Sequence, residues 1–127
     1  MSENREKLEN FGKFLMDNLR DPAILYAEKL LNEEWTSSKL KDLQSSFAQF
    51  SEDQKKIILT CVIQSIDNGI HDLLFAFQEN YTTHTSDIKI FVDDTNLESI
   101  SDGLNGEIFG EEGWRAKYSK YGENDSI

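Results

Sequence analysis

The chain has 127 residues, 38% of them hydrophobic, with one proline and one cysteine, and its 13 Lys+Arg against 24 Asp+Glu give a formal charge of −11. This length suits one domain that buries a core without a disulfide or metal staple. The charge excludes unaided binding to nucleic acid or an anionic membrane and leaves a cationic partner open.

The single Cys61 lies in an apolar run and reads as a small buried hydrophobe, with no intrachain disulfide to form. The start, Met1-Ser2-Glu3-Asn4-Arg5-Glu6, is polar and acidic, and no stretch reaches about 18 uncharged apolar residues, so a cytoplasmic protein is expected. Residues 1–121 are expected to form one globular domain and residues 122–127 a flexible tail.

In chain order, Leu8, Phe11, Leu15 and Leu19 recur at steps of three and four, with Phe14 beside them, and predict an amphipathic helix over residues 3–19. Asp21-Pro22 predicts a restart: the carboxylate accepts from free amides of the next turn, and proline at the first helical position needs no donor. A second helix should reach about Glu33. Ser37 or Ser38 would cap a third, in which Leu40, Leu43, Phe47 and Phe50 repeat.

Ser51-Glu52-Asp53-Gln54 has the spacing of a capping box, and its acids suit a helix start. The helix that follows, to about Glu79, is apolar on nearly every side, from Ile57, Ile58 and Leu59 through Ile63, Ile66 and Ile70 to Leu74, Phe75 and Phe77. That pattern predicts a central position in the fold. Such a helix outruns a compact domain, and Asn68-Gly69 is where it would bend or break, since glycine costs about 1 kcal/mol in a helix interior.

Beyond Ser86 the period changes to two. Ile88, Ile90 and Val92 alternate with Lys89 and Asp93, then Asp93-Asp94-Thr95-Asn96 supplies turn formers before a return strand over Leu97 to Ile100. Phe91 spoils the alternation, so it is either covered on a second face or exposed for binding. Residues 103–113 hold four of the seven glycines and predict a turn-rich loop, with room for a third short strand at Glu107 to Phe109. Trp114, Tyr118 and Tyr121 share one helical face. The fold class is α+β: a mainly helical body of four to five helices with a small antiparallel hairpin of two to three strands near the C-terminus.

Chemistry is sparse. On the long helix Lys56, Thr60, Gln64, Asp67, His71 and Gln78 form a narrow polar stripe in which Asp67 and His71 are neighbours, four residues apart. They form either a solvent-facing strip in which the carboxylate favours the imidazolium, or an acid–base or ligand pair opening into a polar cleft. A metal would need His84, Asp72 or Glu79 as well, and no HExxH, HxxE or paired-cysteine spacing exists, so no metal and no cofactor is expected. Asp102, Glu107, Glu111 and Glu112 would repel a phosphate from the glycine loop. No nucleophile motif is present, no catalytic residue is assigned, and a non-enzymatic protein is expected.

The charge is unevenly placed. Residues 1–63 hold 11 acids and 9 bases, whereas residues 64–127 hold 13 acids and 4 bases. The excess gathers at the hairpin and glycine loop, where it could steer a basic partner.

A small, cysteine-poor chain with a helical body and an acidic, loop-rich end resembles, in size, charge and layout, the small acidic immunity proteins of bacterial toxin systems. The resemblance implies an inhibitor that neutralises a basic toxin, such as a nuclease, by occupying or shadowing its substrate site. The candidate partner-binding residues are Phe91, Asp93, Asp94, Glu98, Asp102, Glu107, Glu111, Glu112 and Trp114, with Phe91 or Trp114 as anchor. The alternative is a small metal-binding or hydrolytic domain centred on Asp67 and His71. An oligomeric scaffold joined through apolar helices is a third.

Overall fold

The computed structural model describes residues 2–122. The chain is α+β, mostly helical, with one two-stranded antiparallel sheet. Helix α1 (Glu3–Leu15) starts at Ser2, whose hydroxyl accepts from the Arg5 amide at 3.1 Å, and Glu3 and Glu6 lie in its first turn. It runs through a π turn (Met16–Arg20) directly into α2 (Asp21–Leu31).

The restart expected at Asp21-Pro22 is therefore absent: Arg20 and Asp21 keep helical φ values of −66° and −63°. Pro22 has no N–H for the Asn18 carbonyl, and its ring crowds that group. The Asp21 amide donates instead to the Met16 carbonyl five residues back, and this wider turn makes room for the ring. It also resets the register. Gly12, Met16, Arg20 and Ile24 are all buried at successive steps of four, which on a regular α-helix would drift by about 40° per step. Leu19, expected on the buried stripe, is exposed as a result, and Phe14 is 64% exposed.

A 3-10 turn (Ser38–Leu40) leads into α3 (Lys41–Phe47), without the serine cap expected there. Gln44 is buried and holds Trp35, accepting from its backbone N–H at 2.9 Å and donating to its carbonyl at 3.0 Å. The apolar stripe of this segment stays open, with Leu43 and Phe50 exposed.

Helix α4 (Glu52–Thr83) begins with the expected capping box: the Gln54 amide donates to Ser51 Oγ at 3.1 Å, and the Ser51 amide to Gln54 Oε1 at 2.8 Å. It continues through Asn68-Gly69 unbroken for 32 residues, about 48 Å at 1.5 Å per residue. The expected central position is corrected as well. Only one face is buried, through Ile63, Asp67, Ile70 and Leu74, because α2 and the C-terminal elements cover that side alone. Ile57 and Leu73 project outward, and Cys61 is exposed rather than buried.

The sheet is shorter than expected. Strand β1 (Phe91–Val92) pairs with β2 (Thr95–Asn96), Phe91 opposite Asn96 and Val92 opposite Thr95. Asp93 turns the chain at φ 55°, a left-handed conformation that Asp tolerates. Leu97 to Ile100 is not a return strand but a helical turn, α5 (Leu97–Ile100), because the Asn96 side chain caps it by accepting from the Ser99 amide at 3.0 Å. The strand expected at Glu107 to Phe109 is replaced by a 3-10 turn (Leu104–Ile108). Helix α6 (Trp114–Tyr118) follows, and the tail expected at 122–127 lies outside the described residues except for Gly122.

The core joins Leu8 of α1, Met16 of the π turn, Ile70 and Leu74 of α4, and Leu97, Leu104, Ile108 and Trp114 from the C-terminal third. The Trp114 ring meets Phe11 edge-on at 5.9 Å and lies against Gly12, where a Cβ would stand 2.4 Å from three ring atoms. That approach accounts for a glycine in mid-helix. Among the described residues no helix is long and apolar enough to cross a membrane.

Candidate functional site

The middle of α4 meets two polar systems, one closed and one open. The closed one is built on Asp67, which the π-turn register brings opposite Arg20. Arg20 donates to Asp67 through Nε at 2.6 Å and Nη2 at 3.2 Å, and Arg115 of α6 donates to the same carboxylate at 2.7 Å. The Arg20 side chain is fully buried and also donates to Ser119 Oγ at 2.6 Å and the Tyr121 carbonyl at 2.5 Å. Asp21, expected as a helix cap, instead accepts from Ser119 Oγ at 2.6 Å and the Lys120 amide at 2.9 Å. Every oxygen of Asp67 is thus engaged by a guanidinium, which removes it as a partner for His71.

The open system is the groove between α4 and the glycine loop. His71 Nδ1 lies 3.1 Å from Asp72 Oδ1, and its Nε2 lies 3.4 Å from Asn105 Nδ2. Its ring stacks on Phe75, four residues on, with centroids 6.3 Å apart and planes at 9°, and meets Phe109 of the loop at 6.1 Å. Clefts open on both sides of this aromatic trio. One, of about 440 Å³, is lined by Gln64, Asp67, Asn68, His71, Phe109 and Arg115. The other, of about 570 Å³, is lined by Phe75, Gln78, Glu79, Asp102, Asn105 and Glu107.

The loop holds its shape through internal bonds. Gln78 bridges it to α4, its amide group donating to the Glu98 carbonyl at 3.0 Å and its Oε1 accepting from the Leu104 amide at 3.1 Å. Glu107 accepts from Ser101 Oγ at 2.8 Å and from Arg5 at 3.1 Å. At Gly113 a Cβ would meet the Phe109 carbonyl oxygen at 2.3 Å, so the chain can close there only with glycine.

These bonds divide the candidate residues. Trp114 is 0% exposed and Glu98 is 1% exposed; the Glu98 carboxylate accepts from the Ile90 amide at 3.0 Å. Both are therefore corrected from partner-binding to structural residues. Glu107 is half-buried and bonded within the loop, and Asp94 pairs with Lys7 at 3.3 Å. Phe91, Asp93, Asp102, Glu111 and Glu112 are exposed, and none of these four acids has an ion pair closer than 4 Å among the described residues. Phe75, Phe109 and Asn105 were not singled out from the sequence as site residues, and Glu79 only as a further ligand that a metal would need. The helical i, i+4 spacing from His71 could have found Phe75; the loop residues carry no such local mark.

Another buried carboxylate, Glu9, receives Arg5 at 2.6 Å, the Tyr118 hydroxyl at 2.6 Å and the Lys117 ammonium. Burial acts to raise its pKa, but the hydrogen bonds from Lys117 and Tyr118 and the Arg5 charge outweigh it and hold the carboxyl below its usual value. Burial and the Glu9 carboxylate push the Tyr118 phenol up to about 12. No group of three His, Cys, Asp or Glu side chains arranged to hold a metal occurs among the described residues. Comparison with protein-family models, curated proteins and solved structures finds no match to this chain.

Proposed function

We propose that this chain is a protein-binding module whose α4–glycine-loop face engages a basic protein, in the manner of an immunity-type inhibitor of a basic toxin such as a nuclease. The observation that carries this reading is the pairing of exposed aromatic rings with uncompensated carboxylates on one groove. Phe75 is 50% exposed and Phe109 is also exposed, while Glu79 and Asp102 line the same groove without an ion pair among the described residues. Glu111 and Glu112 continue the chain just past Phe109. Exposed aromatic anchors beside unpaired carboxylates suit a partner of opposite sign, the rings supplying contact area and the charges orientation and association rate. The hydrolytic alternative loses its carboxylate base, since Asp67 is neutralised by Arg20 and Arg115.

The test is native co-purification at low ionic strength, followed by a toxicity assay with the captured protein. A basic partner should be retained by the wild type, released as salt rises, and lost to Glu79→Lys/Asp102→Lys, which should also fail to protect. Retention of the same partner by that variant, or recovery of the wild type alone, refutes the proposal.

A further inference from the structure

We infer that the cleft between Phe75 and the glycine loop takes an arginine side chain of the partner, its guanidinium lying on the Phe75 ring and pairing with Glu79 and Asp102. This deepens the reading of a basic partner and rests on it. The cleft, of about 570 Å³, has α4 on one side and residues 102–107 on the other, a size within the range of about 300–1,000 Å³ typical of ligand sites. Phe75 is 50% exposed, and its ring runs nearly parallel to that of His71, at 9°, so that His71 backs one face and the rest of the ring is open to the cleft. Glu79 stands one helical turn beyond Phe75, Asp102 comes from the loop, and neither has an ion pair among the described residues. Glu107, the third acid on the wall, is already held by Arg5 at 3.1 Å and by Ser101 Oγ at 2.8 Å.

The acids by themselves would attract any cation; the ring beside them sets the preference. The chain's own Arg115, on the other side of the same aromatic trio, shows what such a combination holds. Its Cζ lies 5.3 Å from the Phe109 ring centroid while Nη1 donates to the Asp67 carboxylate at 2.7 Å, so ring and carboxylate grip one planar cation together. The Phe75 side repeats the ring and the carboxylate, and no Lys or Arg of the described residues lines it. A guanidinium is flat and weakly hydrated, and it can stack on a ring while its edge donates two parallel N–H bonds to a carboxylate. An ammonium is a strongly hydrated point charge and gains chiefly from the carboxylates. The cleft therefore favours arginine over lysine.

Heteronuclear NMR titration of the full chain with N-acetyl-arginine amide, and separately with N-acetyl-lysine amide, tests the cleft at low ionic strength without the partner. The arginine derivative should shift the amides of residues 75–79 and 102–107 saturably, and the lysine derivative should bind at least about threefold more weakly. Glu79→Gln/Asp102→Asn should weaken the arginine derivative at least about tenfold. Glu33→Gln/Glu34→Gln removes the same charge just past the end of α2 and should move the midpoint less than about twofold. Phe75→Leu should bring arginine down to the lysine value, with far-UV circular dichroism confirming that each variant folds. Equal binding of the two derivatives overturns the inference, as do shifts that spread over the acidic surface without saturating, and a midpoint that Phe75→Leu leaves in place. A negative titration alongside a basic partner retained on co-purification defeats the arginine cleft alone. A positive one with no partner retained upholds the guanidinium site and defeats the toxin-inhibitor reading.

Discussion

Replacing Asp67 by Asn or Ala tests how the buried hub is built. The Arg20 side chain is 0% exposed and that of Asp67 is 7% exposed, so neither charge can recover its hydration when the other is removed. Breaking such a pair costs about 3–5 kcal/mol, against about 0–1 kcal/mol for a surface pair. Arg20 keeps its bonds to Ser119 and Tyr121 in either variant, and an Asn carbonyl still accepts one N–H. The expected losses are therefore about 3 kcal/mol for Asp67→Asn and about 4–5 kcal/mol for Asp67→Ala. A domain of this size is stable by about 6–15 kcal/mol, and each kcal/mol moves Tm by about 4 °C, so Asp67→Asn should melt about 12 °C lower. Calorimetry and urea unfolding measure this, and the difference should persist in high salt because the pair lies out of reach of screening ions. A fall in Tm below about 3 °C, or one erased by salt, would refute the assignment of a closed ionic hub.

Two helix glycines should respond with opposite signs. Gly12→Ala places a methyl 2.4 Å from the Trp114 ring, and overpacking of about 1–3 kcal/mol exceeds the helix-propensity gain of about 1 kcal/mol, so Tm should fall. Gly69→Ala adds a Cβ with nothing within 4 Å on an exposed helix surface, and should stabilise by about 0.5–1 kcal/mol; thermal melts of both variants decide the pair. The lowered pKa of Glu9 makes its contribution fully present above the ordinary carboxylate value of 4.5 and lost as pH falls through the lower folded value. The difference in Tm between wild type and Glu9→Gln should accordingly shrink below that pH. Tyr118 acts at the other limb: its raised pKa contributes stability below 10 that disappears as pH rises toward about 12, and Tyr118→Phe should flatten that alkaline fall.

Where the determinants are local, the sequence was sufficient. The Ser51–Gln54 box, the helical period of α4, the helix starting at Glu3 and the turn at Asp93-Asp94 each depend on side chains within about four residues of the groups they satisfy, and each forms as read. Other features needed the whole fold. Asp21-Pro22 carries the local marks of a helix start, yet the chain stays helical because a π turn both admits the proline and aims Arg20 at Asp67, 47 residues away. Leu97 to Ile100 suits a strand by composition but becomes a helical turn through a local mark, the Asn96 cap on the Ser99 amide, and only the reach of Glu98 back to the Ile90 amide depends on how the chain folds.

The candidate site divides the same way. An acidic C-terminal half can be counted from residues alone, but which acids remain on the surface cannot, since Glu98 and Glu107 are taken by internal donors while Asp102, Glu111 and Glu112 are not. The Trp114 stripe reads from the sequence first as core packing, with a partner anchor as the alternative, and the close approach of Gly12 places Trp114 in the core. Periodicity and capping arise from near neighbours and are written in the chain. Register, burial and the pairing of charges arise from contacts across dozens of residues, and only the tertiary structure decided them.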